Sequence, residues 1–181
     1  MAIHRDLPSL IRGSLPEYLK VAEYCLNYRK PAAPGRRAGC YGYPAAVMLF
    51  SIVDTIGSFY KGRSDLKIEV SGKPVRIKRD GDQHLYVLNS EYYGQSLDGQ
   101  TIKKLYENFR SLLVHNASLA PSHSLLNEPT LRDSFPILDG KPSVNLSAFL
   151  YKSKEAAKLF LDRLDHIVPG SNQAANINRK K

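Results

Sequence analysis

The chain has 181 residues, 43% of them hydrophobic, and a formal net charge of +9 at pH 7. That apolar share excludes a polar chain unable to build a core. Two cysteines, Cys25 and Cys40, exclude a disulfide scaffold and a zinc framework, and the longest apolar run, residues 45–59, is too short for a bilayer and carries Asp54. The positive charge favours polyanionic partners (nucleic acid, nucleotide or an acidic protein) without choosing among them, and a basic surface with no specific ligand stays open.

Ser14, Leu15 and Pro16 read as a helix start, with Ser14 as cap and Pro16 in the first turn. Leu15, Tyr18, Leu19, Ala22, Cys25 and Leu26 follow at helical spacing, and the helix is expected to end near Arg29, ahead of Pro31. Residues 31–42 form a glycine- and proline-rich loop carrying Arg36 and Arg37. Pro44 opens a second helix to about Tyr60, apolar nearly all round and therefore central. Residues 67–70 and 74–78, joined by Ser71, Gly72 and Lys73, read as a β-hairpin, and residues 84–88 as a third strand or extended segment. Residues 89–94 suggest a helical turn. Residues 96–119 form an amphipathic helix whose stripe is Ile102, Leu105, Tyr106, Phe109, Leu112 and Leu113. After a mixed loop with a short hairpin near residues 138–141, a last helix covers residues 145–167, and residues 171–181 form a flexible basic tail. The sum is a mainly α, four-helix bundle-like single domain over residues 1–170, with small β-hairpin insertions around residues 64–88. The first residues lack an apolar signal core, and a cytoplasmic location is expected.

The clearest chemical signal lies on the amphipathic helix, where Arg110 is followed five residues later by His115. A planar guanidinium holds phosphate, and an imidazole moves protons near neutral pH. Spacing alone is weak evidence, because Arg79 and His84 repeat it inside a stretch that reads as a turn. Residues five apart on a regular helix also point about 140° apart. A shared site then needs a distorted helix end or a second copy of the chain. The plainer readings are an ion pair of Arg110 with Glu107 or Asp54, a helix-terminal role for His115, and an Asn116 amide that satisfies terminal carbonyls. Asp54, inside an apolar run, needs a partner, and Arg110 is the expected one. Arg36 and Arg37 precede a helix start and either bind phosphate or sit in a plain flexible loop. The basic hairpin, followed by Tyr86, Tyr92 and Tyr93, is either a surface on which bases stack or a solvated edge. His4, His123 and His166 have no evident partner.

The stretch Phe109-Arg110-Ser111-Leu112-Leu113-Val114-His115-Asn116 resembles the signature of the HEPN superfamily: arginine, four to six residues, then histidine, often followed by asparagine, near a helix end. The run from Gly42 to Phe59 is similar to uncharacterised bacterial proteins of that kind. The resemblance covers roughly residues 15–119. It implies a helical bundle and a metal-independent ribonuclease in which the ribose 2′-hydroxyl attacks the adjacent phosphate. Arg110 and His115 would be catalytic, Asn116 would orient His115 or contact the RNA, Ser111 would border the substrate, and no cofactor would be needed. Ser111 departs from the family pattern, where Asn, Asp or His often follows the arginine. A second copy completing the site makes a homodimer the expected state, an RNA or nucleotide ligand is expected, and a further reading is the toxin of a toxin–antitoxin or phage-defence pair with an acidic antitoxin partner. The alternative is a non-catalytic RNA- or nucleotide-binding module, or a bundle for protein association.

Overall fold

In the computed structural model, which describes residues 6–32, 39–121 and 123–178, Asp6 rather than Ser14 starts the first helix. Its carboxylate accepts from the Ser9 amide at 2.8 Å, Pro8 lies in the first turn, and α1 runs Leu7–Asn27. The earlier start has a physical reason: Leu7 and Ile11 continue the buried stripe of Leu15 back by two turns. Pro16 therefore stands inside the helix and forgoes one backbone hydrogen bond.

Helix α2, Gly42–Phe59, is the axis of the molecule. Ala45, Ala46, Leu49, Phe50, Ile52, Val53 and Ile56 are fully buried. Among the described residues it alone is long and apolar enough to cross a membrane by length and composition, and 56% of it is buried inside the protein. α1 packs on one side of α2 and a later helix, α5 (Leu146–Asp162), on another. Phe50 meets Phe149 of α5 edge-on at 5.2 Å and stacks with Phe109 of the third rod at 6.5 Å.

The expected hairpin is present but short. β1 (Glu69–Val70) pairs antiparallel with β2 (Lys73–Pro74) across Ser71 and Gly72, both at positive φ. Residues 84–88 are neither strand nor extended: they lie within a 3-10 segment, Gly81–Asn89. This segment crosses α2 so closely that a Cβ on Gly57 would stand 2.3 Å from the His84 carbonyl oxygen. A short apolar run carries no period that separates strand from helix, and burial of Leu85, Val87 and Leu88 is satisfied by the helical turn.

The third rod is one helix in three parts. α3, Gly99–Leu105, is capped by Asp98, whose carboxylate accepts from the Thr101 amide at 2.9 Å. A π-helical turn, Tyr106–Ser111, follows, and α4, Leu112–Asn116, ends at left-handed Ala117. Beyond it, β3 (Leu125–Leu126) pairs parallel with β6 (Val144–Asn145), and β4 (Ile137–Leu138) with β5 (Lys141–Pro142) form the small hairpin expected near residues 138–141. Fully buried Asn145 donates to the Glu128 and Leu131 carbonyls and accepts from the Glu128 amide. The last helix breaks at Arg163 into α5 and α6, Leu164–Ile167. The expected flexible tail is a correction: α7, Asn172–Asn178, packs against α2, with Ser171 accepting from the Gln173 amide and Ala174 buried. Residues 179–181 lie outside the described residues. The fold is mainly α, with four long rods and small β elements.

Candidate functional site

The π-helical turn carries Arg110. Such turns insert an extra residue into a helix and recur at functional sites. Its Nε donates to Asp54 Oδ2 at 2.6 Å, and Nη2 lies 2.5 Å from the same oxygen. The expected pairing across the α2 interface is therefore present, whereas Glu107, the other candidate, faces Lys103. The two side chains are 24% and 16% exposed, and the guanidinium lies over the Tyr106 ring, 5.5 Å from its centroid. Asp54 and Tyr106 thus hold the arginine in one orientation, and among the described residues its Nη1 makes no hydrogen bond.

A histidine does share this carboxylate, but it is His84. Its Nδ1 lies 3.6 Å from Asp54 Oδ1. On its other side Nε2 lies 3.2 Å from Asp80 Oδ1, off the line of a hydrogen bond, so that Asp54 Oδ1 and His84 Nε2 are both buried without a hydrogen-bond partner among the described residues. Asp80 also accepts from Lys61 Nζ at 2.7 Å. Lys61 chiefly, and His84 more weakly, hold the Asp80 carboxyl below its ordinary value. The result is a row of facing polar side chains, Arg110–Asp54–His84–Asp80–Lys61, laid across α2, the 3-10 segment and the π turn. The sequence signal for His84 is the Arg79–His84 spacing itself, which lies in a stretch that reads as a turn. The close crossing at Gly57 is what carries that histidine to Asp54.

His115 stands on the last turn of α4, exposed, and among the described residues it makes no hydrogen bond or ion pair. Asn116 beside it is exposed, and Ser111 is half-buried at the end of the π turn. Helical geometry is regular again from Leu112, so no hydrogen bond or ion pair joins Arg110 to His115 within one chain. Arg36 and Arg37 lie outside the described residues. The tyrosines after the hairpin are divided. Tyr86 is half-buried, but Tyr92 and Tyr93 are core residues and cannot stack on bases. The Tyr92 hydroxyl bonds that of Tyr60, and burial pushes the Tyr60, Tyr92 and Tyr93 phenols above their ordinary values. His123, without an evident partner in the sequence, is structural. Asn108 Nδ2 reaches its Nε2 at 3.1 Å, its Nδ1 faces the Pro121 carbonyl at 3.1 Å, and the ring meets Phe109 edge-on. Those partners suit a neutral imidazole protonated on Nδ1. Among the described residues no three His, Cys, Asp or Glu side chains converge as metal ligands.

No protein-family model, curated protein or solved structure matches the chain.

Proposed function

We propose that the chain is a metal-independent ribonuclease of the HEPN kind, acting as a homodimer. The observation that carries this reading is the contrast on one helix. Arg110 is half-buried and oriented by Asp54, with donors to spare, while one turn on His115 is exposed and uncommitted. That is the arrangement expected of a fixed phosphate holder and a mobile proton carrier. A two-fold axis beside the third rod would set His115 of one copy near Arg110 of the other and remove the angular separation along a single helix.

In this scheme neutral His115 takes the proton of the ribose 2′-hydroxyl as its oxygen bonds to phosphorus. The P–O5′ bond breaks and the departing 5′-oxygen takes up a proton from the imidazolium. The products are a 2′,3′-cyclic phosphate and a 5′-hydroxyl. Arg110 offsets the charge that accumulates on the non-bridging oxygens. Asn116 and Ser111 border the scissile nucleotide. Free thiols at Cys25 and Cys40 suit a reducing cytoplasm, and a charge of +9 suits both RNA and neutralisation by an acidic antitoxin protein in a toxin–antitoxin or phage-defence pair.

The test is incubation of the purified chain with end-labelled RNA in chelator. Cleavage to cyclic-phosphate ends, reduced by about 10²-fold or more in His115→Ala and in Arg110→Ala, is the expected result. Absence of cleavage with salt-sensitive RNA binding would instead favour a non-catalytic RNA- or nucleotide-binding module. One observation favours that second reading: Asp54 already matches the charge of Arg110.

A further inference from the structure

A second surface on the molecule has the composition of a stacking platform. The chain leaves α1 at Tyr28 and returns at Gly39, and the neck between them is pinned. The Lys30 amide donates to the Gly39 carbonyl at 2.8 Å, and the Tyr41 amide to the Cys25 carbonyl at 2.9 Å. Tyr28 and Tyr41 stack across this neck with centroids 4.9 Å apart and planes at 22°, and Lys30 Nζ lies over the Tyr41 ring. Tyr24 lies beside Tyr28, with ring centroids 6.1 Å apart, and is 65% exposed; Tyr43, two residues beyond Tyr41, is 47% exposed. Between the neck and β3 opens a cavity of about 660 Å³, bordered by Arg29, Lys30, Tyr41 and Tyr43 and by the apolar side chains of Leu125 and Leu146.

Two properties of this surface point to one kind of partner. None of the residues lining the cavity is acidic, and neither Arg29 nor Lys30 has a carboxylate partner among the described residues. Arg12, Lys61, Arg63, Lys154 and Arg163 elsewhere on the surface are paired with carboxylates, whereas among the described residues Arg29 and Lys30 stand uncompensated beside exposed aromatic rings. Unpaired cations beside exposed aromatic rings suit a ligand that alternates planar bases with phosphates. The main chain that carries the tyrosines is fixed by the neck bonds and by the start of α2, so binding requires no ordering of the backbone there.

We propose that this neck and cavity bind single-stranded RNA, with an unpaired base stacked on Tyr43 and its phosphates against Arg29 and Lys30. The strand is single because bases within a duplex offer no free face. The surface lies at the start of α2, about 18 Å along the helix from Asp54 at 1.5 Å per residue. One oligonucleotide can therefore touch both regions, yet the platform stands whether or not Arg110 and His115 cleave.

The probe is a fluorescent 2′-O-methyl oligouridine of about ten nucleotides, which lacks the hydroxyl that a ribonuclease needs as nucleophile, titrated by anisotropy into the full chain. Expected are a loss of about tenfold in affinity for Tyr43→Ala, the size of one stacked base, and near-complete retention for Tyr43→Phe. Arg29→Gln and Lys30→Gln should each flatten the salt dependence by about 0.7 in log–log slope. Melting temperatures of all variants separate lost binding from lost fold. Unchanged affinity in Tyr43→Ala, equal affinity for a duplex of the same length, or no binding at all would overturn the proposal. Cleavage of ordinary RNA with intact tyrosine-independent binding leaves the ribonuclease reading standing and removes the platform. Tyrosine-dependent binding without cleavage does the reverse.

Discussion

The Arg110–Asp54 pair can be weighed by a double-mutant cycle. An exposed ion pair contributes about 0–1 kcal/mol, whereas breaking a fully buried one costs about 3–5 kcal/mol. With the two side chains 24% and 16% exposed, the pair lies between these limits. Two guanidinium nitrogens bear on one carboxylate oxygen, and charged hydrogen bonds contribute about 1.5–3 kcal/mol. Arg110→Ala is therefore expected to destabilise the fold by about 2 kcal/mol, leaving Asp54 with only His84 beside it. For a chain of this length that corresponds to a fall in Tm of about 4–8 °C. Asp54→Ala should cost a similar amount, and the double variant should show a coupling of about 1–2 kcal/mol. Arg110→Lys should recover less than half, because a lysine has no planar fork to reproduce the contacts. His115→Ala, exposed and uncommitted, should leave stability within about 0.5 kcal/mol. Thermal and urea unfolding measure all of these. Additivity of Arg110→Ala and Asp54→Ala to within about 0.3–0.5 kcal/mol would refute the account of Asp54 as the group that holds the arginine. The same series keeps activity assays interpretable, since loss of cleavage in thermally silent His115→Ala cannot be ascribed to unfolding.

Gly57→Ala should be among the most damaging small changes. Its Cβ would meet the His84 backbone at 2.3 Å, so α2 and the 3-10 segment must part, at about 3 kcal/mol, readable as a Tm loss of roughly 6–12 °C. Asn145→Ala strips three backbone groups of their partner and should lower stability by about 3 kcal/mol in urea titrations. Ala117→Gly relieves the left-handed residue that closes α4 at φ 49° and should raise stability by about 0.5–1 kcal/mol without touching His115. Acid should weaken the fold in a defined window. Arg63 holds the Asp65 carboxyl below its ordinary value, Arg163 does so for Glu91, and Thr101 for Asp98. Depressed folded values mean that the stabilisation is complete above the ordinary carboxylate range and is lost as pH falls through about 4 and below. The urea midpoint should be flat from pH 7 to 5 and fall by pH 3, less steeply in Arg163→Gln. A midpoint that rises below pH 4 would contradict the assignment.

The legible parts of the fold were those with a local cause. Helix α2 was evident because its apolar residues surround the axis, and the third rod because Ile102, Leu105, Phe109 and Leu113 recur at helical spacing and are all buried. The β1–β2 and β4–β5 turns were evident because Ser71-Gly72 and Asp139-Gly140 adopt the positive φ that such pairs tolerate. What escaped was set by partners distant in the chain. The first turns of α1 depend on burial of Leu7 and Ile11. The 3-10 segment depends on a glycine some 27 residues earlier that lets its backbone approach. α7 depends on burial of Ala174 beside α2, and the parallel β3–β6 pair joins residues with no shared local pattern. The π turn also left no mark, since Tyr106, Phe109 and Leu113 fit an ordinary helical stripe as well as a widened one.

The candidate site divides along the same line. Asp54 was legible because a carboxylate within an apolar helix needs a cation, and Arg110 was the one whose helix had to pack on α2. His84 was not, although its spacing from Arg79 equals that of His115 from Arg110. Spacing describes one stretch of chain, whereas a charge row is assembled by packing. The fold in fact draws on both copies of the pattern, taking the arginine of one and the histidine of the other, and places Asp54 between them. The consequence for function is a division of labour that can be separated experimentally. His84 is 12% exposed and lies between two carboxylates, so it can set the posture of Asp54 and thereby of Arg110, but it offers little surface to a substrate. His115 has the reverse character. Under the proposed ribonuclease reading, replacing His84 by alanine should therefore lower Tm and weaken RNA binding together, while replacing His115 should leave both unchanged and abolish only cleavage. A His84→Ala variant with unaltered melting and lost cleavage would exchange the two roles and move the reacting imidazole to the 3-10 segment.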